Sequence, residues 1–291
     1  MGTADANQLR GIHSVMEVPI MDDAKWAKIP EINADAFFID LEDSAPMAMK
    51  NEARERAVEL MKDPAHLGGR IPIPRINNLD TDWGHDDIVA MAECGAKVVT
   101  YPKVQSAGEL ETVRNVFRKH GANPYLCAVI ESAQGICNIN EIVRIPELCG
   151  LFFGPSDLSL DAGIELYDDS GLTSGILDSA RSTLSFAAAS SGIELFDALF
   201  VKNMKDINQV RTSVQNSRQM GFSGVLTFYP PHIEIINDVF AVDSAAATRA
   251  ERVVAAYENA VAEGKTAVLL DGEALIIQDY KRALSVLGRP F

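Results

Sequence analysis

The sequence predicts an α/β protein built as a (β/α)8 TIM barrel, with a helical lid extension at its C-terminal end. Three observations carry that prediction. Short, nearly continuous apolar runs recur along the chain, as buried parallel strands do. Each run is followed by a segment of helical character, and eight such units precede residue 241. The runs also end in polar groups: Ala36–Ile39 leads to Asp40, Glu42 and Asp43, and Ile71–Pro74 to Arg75 and Asn77. Val98–Pro102 leads to Lys103, Tyr125–Ile130 to Glu131, and Leu151–Phe153 through Gly154-Pro155-Ser156 to Asp157. A barrel assembles its active site at that edge of its sheet.

Taken in order, His13–Ile20 reads as the first strand and Ala24–Ile29 as a short helix. Phe37–Leu41 precedes the charged amphipathic helix Lys50–Lys62, and Ile71–Ile76 precedes Asp86–Glu93. Lys97–Tyr101 precedes Gly108–His120, Tyr125–Ile130 precedes Asn138–Arg144, and Leu151–Phe153 precedes the Ala-rich stretch Leu177–Ser191. Glu194–Phe200 precedes Lys205–Met220, and Gly224–Phe228 precedes His232–Phe240. A doubly wound open sheet is the rival arrangement, but no GxGxxG follows Val18-Pro19, so the barrel is favoured. The tail differs in kind: a long helix over Ala245–Glu263, then Lys265–Leu270, the turn Asp271-Gly272 and a helix ending near Leu287. The expected division is a catalytic barrel over 1–243 and a lid or subunit-contact extension over 244–291.

At 291 residues the chain fits one barrel domain. Hydrophobic content of 47% and charged content of 23% are globular values, and the formal net charge of −15 disfavours nucleic acid or an anionic membrane as main partner. No apolar run approaches the roughly 20 residues that span a bilayer. The opening MGTADANQLR carries no secretory pattern, so a cytoplasmic location is expected. Cys94, Cys127, Cys137 and Cys149 form no CxxC pair and read as reduced thiols.

Glu131 and Asp157 end consecutive strands, so their side chains should converge at the barrel mouth. Two carboxylates with open coordination positions suit Mg2+, which takes few protein ligands and completes its sphere with water and substrate oxygens; the bland reading is a pair of caps or ion-pair acids. Among Asp40, Glu42 and Asp43 the choice lies between a site and a solvated loop in which Asp43 or Ser44 caps the next helix. Arg75 falls where the strand is still buried, so a carboxylate or an anionic ligand must meet it.

These residues resemble those of a known family. Leu41-Glu42-Asp43-Ser44, Arg75-Ile76-Asn77, Pro102-Lys103-Val104, Ile130-Glu131-Ser132-Ala133-Gln134-Gly135 and Phe153-Gly154-Pro155-Ser156-Asp157-Leu158 occur in order, at spacings similar to those of the citrate lyase β-subunit and malyl-CoA lyase family. The likeness spans about residues 10 to 285. It implies a Mg2+-dependent barrel that cleaves or forms a carbon–carbon bond between an oxo acid and an acyl-CoA enolate. By the same resemblance Glu131 and Asp157 are the metal ligands, and Arg75 holds the oxo acid or the thioester oxygen. Glu42, Asp43 and Lys103 are candidate substrate contacts, Lys103 having the alternative of an ion pair with the Asp40–Asp43 cluster. A homotrimer or homohexamer is implied as well.

The sequence also departs from the family. His13 stands where an Arg is usual, Val225 where a Lys, Tyr229 where a His, and Ile276 where the acid/base Asp ends its motif. Asp279 is the nearest candidate replacement, and Asp271 competes with it. The expected activity is cleavage or formation of a 3-hydroxyacyl-CoA such as citryl-CoA or malyl-CoA. A CoA-independent 2-oxo-acid aldolase, a malyl-CoA-type thioesterase and a catalytically weak metal-binding homologue are the alternatives.

Overall fold

In the computed structural model of the protein, eight parallel strands close into a barrel. The structure describes residues 8–63, 65–241, 244–264 and 268–289, with 244 and 245 as backbone only. The strands are β1 (Ser14–Pro19), β2 (Ala36–Asp40), β3 (Ile71–Arg75), β4 (Val98–Tyr101), β5 (Tyr125–Ile130), β6 (Leu148–Phe153), β7 (Glu194–Ala198) and β8 (Gly224–Thr227). β8 returns to β1 with Ser14 beside Val225 and Met16 beside Thr227. That closure brings backbones together: a side chain at Gly224 would lie 2.5 Å from the carbonyl of His13, which accepts from Val225 N at 2.8 Å.

The pleat separates two apolar cores. Val15, Phe38, Ile73, Val98, Cys127, Phe152, Phe196 and Leu226 face inward and pack as one cluster. Met16, Val18, Phe37, Ile39, Val99, Ile130, Leu151 and Phe153 alternate with them and pack against the helices. Apolar residues on both faces explain why these strands read as continuous hydrophobic runs. The helices of the barrel unit are α1 (Asp23–Trp26), α2 (Lys50–Lys62), α3 (Gly84–Glu93), α4 (Ala107–Lys119), α5 (Ala133–Cys137), α6 (Ile139–Ile142), α7 (Pro155–Asp161), α8 (Leu177–Ser191), α9 (Ile207–Gln219) and α10 (His232–Phe240).

Two helical readings need correction. The helix expected over Asn138–Arg144 is the shorter α6, and α5 precedes it, with Ser132 at its N-cap accepting from Gly135 N at 3.1 Å. The second is a helix the sequence reading did not place: α7 opens at Gly154-Pro155-Ser156, with Gly154 at the N-cap and Pro155 in its first turn, where a missing N–H is no loss.

The described residues fall into two compact units, one ending at Phe240 and one beginning at Ala241. The second contains α11 (Ser244–Ala262), β9 (Val268–Leu270), β10 (Glu273–Leu275) and α12 (Ile277–Val286). β9 and β10 pair antiparallel across Asp271-Gly272, whose φ values of 53° and 84° are those of a two-residue hairpin turn. Val253, Val254, Val268, Leu275 and Leu284 form its core. β10 was not anticipated. Of the expected Lys265–Leu270 segment, residues 265–267 lie outside the described residues, as do 242–243 at the expected division and 1–7 of the N-terminal reading. Among the described residues no helix is long and apolar enough to cross a membrane.

Candidate active site

The site grows from two pairs of strand ends. On one side Asp40 and Arg75 close β2 and β3 and lie in register. Both side chains are buried, and Arg75 Nε donates to Asp40 Oδ1 at 2.7 Å. Asp40 also accepts from the backbone N–H of Glu42 at 2.9 Å and of Ser44 at 2.7 Å. Burial opposes its charge, but the Arg75 guanidinium and these donors outweigh it and hold the carboxyl below its usual range. The two Nη atoms of Arg75 lie 3.2 Å from Glu42 Oε2 and 3.4 Å from Asp43 Oδ2.

The loop after β2 is braced from behind. Buried Lys50, the first residue of α2, donates from Nζ to the carbonyls of Leu41 (2.7 Å) and Glu42 (2.5 Å) and to Asn77 Oδ1 (2.7 Å). Asn77 in turn donates to buried Asp87 at 2.9 Å from its N–H and 2.7 Å from Nδ2, and Arg54 Nε meets the other Asp87 oxygen at 2.6 Å. This chain fixes where Glu42 and Asp43 stand. Neither Asp43 nor Ser44 caps a helix: Ser44 Oγ donates to the Asp40 carbonyl at 2.8 Å, and α2 begins without a side-chain cap.

On the other side Glu131 and Gly154 directly follow Ile130 and Phe153, which are paired in register between β5 and β6. Gly154 makes room for the acid. A Cβ there would lie 2.7 Å from Glu131 Cβ and 2.8 Å from Oε2, so any side chain would displace the carboxylate. Glu131 Oε1 accepts from the backbone N–H of Lys103 at 2.9 Å. Lys103 achieves that with φ of 53°, the left-handed region that few non-glycine residues enter. Asp157 sits in the first turn of α7, and α7 is tied to the Glu131 loop by Ala133 N donating to Asp161 Oδ2 at 2.8 Å.

Glu131 and Asp157 meet. Burial, then hydrogen bonding with Asp157 and the charges of Asp157 and Glu42, outweigh Arg75 and push Glu131 up to about 8. Two carboxyl groups forced together in a partly dry site are repaired by a divalent cation, and hard oxygen donors suit Mg2+. Among the described residues no set of three or more His, Cys, Asp and Glu is grouped to hold a metal. A cation at this place would therefore take Glu131 and Asp157 and complete its sphere from solvent and substrate, as Mg2+ does.

A cavity of about 290 Å3 opens between the two sides, walled by Arg75, Asp43, Glu131, Asp157 and Gly154, with Phe38, Phe152, Leu226 and Phe228 as apolar surface. Glu42 and Lys103, expected as substrate contacts, are not on that wall. They pair with each other at 2.5 Å, Lys103 Nζ being half-exposed. The ion pair thus satisfies the Lys103 side chain, while its backbone serves Glu131. Asp279, expected as the acid/base, lies in the second unit, where its carboxylate accepts from Ile276 N at 3.0 Å in the first turn of α12. Asp271 pairs with Arg252 at 2.6 Å.

The departing positions also have places. His13 precedes β1, at the end of the barrel away from the mouth, with Nδ1 2.8 Å from the Ser223 carbonyl and its ring stacked on Phe240. Val225 faces outward among Val210, Val214 and Ile236. One wall residue escaped the sequence reading altogether. Glu17, in the middle of β1, lines the cavity, and the visible signal was a lone charge inside an apolar run.

The model of the HpcH/HpaI aldolase/citrate lyase family matches residues 13–230. A (3S)-malyl-CoA thioesterase of Cereibacter sphaeroides is 32% identical over 269 residues, covering 92% of this chain and 90% of that protein. Citrate lyase subunit beta of Leuconostoc mesenteroides subsp. cremoris is 30% identical, with 92% and 89% covered. A crystal structure of CitE from Mycobacterium tuberculosis, in complex with magnesium, acetoacetate and coenzyme A, matches with a TM-score of 0.80 over 96% of this chain and 98% of that one. At 22% identity that likeness is one of fold. With barrel, rim acids and family match in agreement, the chain belongs to the HpcH/HpaI aldolase/citrate lyase family and is an enzyme of the lyase type.

Proposed function

We propose that the protein is a Mg2+-dependent carbon–carbon lyase that cleaves or forms a 3-hydroxyacyl-CoA of the citryl-CoA or malyl-CoA kind, giving an oxo acid and an acyl-CoA. The observation that carries this reading is the pairing of Glu131 and Asp157 across the β5–β6 rim, on the same cavity as Arg75. Glu131 and Asp157 would hold the Mg2+, which when bound would supply a Lewis acid for the oxo acid. Arg75 supplies a fixed cation. Its Nε is committed to Asp40, and its two Nη atoms, with longer contacts, remain available to a substrate carboxylate or an enolate oxygen. Phe38, Phe152, Leu226 and Phe228 keep water from the reacting carbons, which protects an enolate from early protonation. The unit after Phe240 is assigned, by resemblance, to contact with a neighbouring subunit in a homotrimer or homohexamer.

Thioester hydrolysis is the second reading, favoured by the malyl-CoA thioesterase relatives. One experiment separates the two. Incubation with malyl-CoA and Mg2+ yields glyoxylate and acetyl-CoA from a lyase, but malate and free CoA thiol from a thioesterase. Glyoxylate trapped as its phenylhydrazone and lost on addition of EDTA is the expected result. Release of thiol without glyoxylate would replace the lyase reading with hydrolysis.

A further inference from the structure

Glu17 is the one cavity-wall carboxyl without an assigned part. Its neighbours on β1 alternate as the pleat requires: Val15 belongs to the barrel interior, Met16 and Val18 to the layer under the helices, and Glu17 returns to the interior. In register it stands beside Phe38 of β2, and Leu226 of β8 and Phe152 of β6 share its wall. Every other acid on that wall has a use. Asp43 meets Arg75, while Glu131 and Asp157 meet each other. Among the described residues the Glu17 carboxyl makes no hydrogen bond or ion pair. A polar group in such surroundings is costly until a donor reaches it.

Its position in the closed sheet says which part of a ligand it would meet. In the strand order β1 to β8, β1 and β5 are four strands apart in either direction, so they face each other across the barrel. Glu131 follows β5, and Glu17 lies in β1. A short oxo acid held at Glu131 and Asp157 thus has room to extend its carbon chain across the shared cavity toward Glu17. A bare methyl group arriving there would leave the carboxyl unmet, whereas a hydroxyl would donate to it.

We propose that Glu17 is a specificity-determining residue, which makes this protein prefer, over the unhydroxylated oxo acids of citryl-CoA and malyl-CoA, an oxo acid whose carbon chain carries a hydroxyl group that donates to the Glu17 carboxyl. The inference rests on the reading that Mg2+ and the oxo acid meet at Glu131 and Asp157. Burial and the nearby charge of Asp40 push Glu17 up to about 7, so at neutral pH both of its forms are populated, and each keeps an oxygen able to accept from a hydroxyl. A site built to hydrogen-bond a hydroxyl rejects the analogue that lacks one, because the site's own polar group is then left unpaired.

The test is isothermal titration of pyruvate and hydroxypyruvate, with and without Mg2+, into the full-length protein and its Glu17→Leu and Glu17→Gln variants. Wild type is expected to bind hydroxypyruvate about tenfold or more tighter than pyruvate. Glu17→Leu is expected to abolish that preference while keeping Mg2+-dependent binding of pyruvate. Glu17→Gln, which preserves shape and an acceptor oxygen, should keep part of it and covers the case in which Glu17→Leu fails to fold. Equal binding of the two acids by wild type, or an unchanged preference in Glu17→Leu, overturns the role of Glu17 and leaves the metal site standing. Loss of Mg2+ dependence for both acids in wild type overturns the lyase reading, and this inference with it.

Discussion

Two groups of acids share the mouth of this barrel, and they differ in whether the protein itself neutralises them. On the β2–β3 side Asp40, Glu42 and Asp43 are matched by Arg75 and Lys103, with Lys50 donating to the loop carbonyls behind them. That corner is held together without any ligand, and only the Nη atoms of Arg75, with their longer contacts, are left for one. On the β5–β6 side Glu131 and Asp157 press against each other, their nearest donor being a backbone N–H. A finished ion-pair network reads as scaffold, whereas an unrepaired pair of like charges reads as a place kept for something else to bind.

The contrast can be broken from either side. Removing charge from the unrepaired pair, with Glu131→Gln and Asp157→Asn together, should abolish Mg2+ binding and lower turnover by about 10^3-fold, the scale of losing a principal electrostatic stabiliser. The metal-free fold should be no less stable, since two crowded acids have gone. Titration calorimetry and urea unfolding read both outcomes, and retained Mg2+ affinity would remove the metal assignment. The finished network should behave oppositely. Arg75→Met strands Asp40 as a buried, uncompensated carboxylate, so a loss of about 3–5 kcal/mol in unfolding free energy is expected together with loss of activity.

Finer changes sharpen the comparison. Gly154→Ala pushes on Glu131 without touching any charge, and should weaken Mg2+ affinity by roughly 10–100-fold while Arg75 keeps its partners. The two acids of the cavity that burial raises give a pH signature. Glu131 and Glu17 rise from 4.5 to about 8 and about 7, so the folded chain holds protons that the unfolded chain releases in between. Their contribution to metal-free stability is therefore fully present below about pH 4.5 and is lost as pH rises toward 8. Mg2+ must displace the Glu131 proton, so its affinity should climb by about tenfold per pH unit up to that range, with proton release visible in buffers of different ionisation enthalpy. The smallest effect belongs to Asp279→Asn, which should cost the α12 cap about 1 kcal/mol or less and leave turnover unchanged. A collapse of turnover would restore Asp279 as acid/base.

The barrel was legible because parallel strands buried on both faces leave an unmistakable apolar run, and the place of Arg75, Glu131 and Asp157 on the cavity wall was legible because Arg75 ends one, Glu131 follows one directly and Asp157 lies a turn beyond the next. For Lys103 and Glu42 the sequence left substrate contact and ion pair as alternatives, for a physical reason. A charge placed after a strand looks the same in sequence whether it faces a ligand or another charge, and only the closed sheet brings β2 and β4 near enough for the two to pair. Glu17 was lost inside a strand, since a single acid among Val, Met and Pro does not disturb the apolar pattern. Lys50 was lost on a helix that looked solvated. Asp279 was assigned from the missing family Asp alone, and its bond to the free N–H of Ile276, as a carboxylate in a helix's first turn makes, was not read from the sequence.

Lys103 carries a lesson for reading variation at this mouth. What Glu131 receives from it is a main-chain proton, delivered by a left-handed twist and indifferent to the ammonium group. Trimming the residue to alanine keeps that proton in place and registers as little more than a lost surface ion pair. Valine or isoleucine, whose branched β-carbon resists the twist, would disturb the carboxylate while looking conservative. Asparagine and glycine, which look drastic, are the natural heirs to the position. At this residue the chemical class of the side chain and its consequence for the site run in opposite directions.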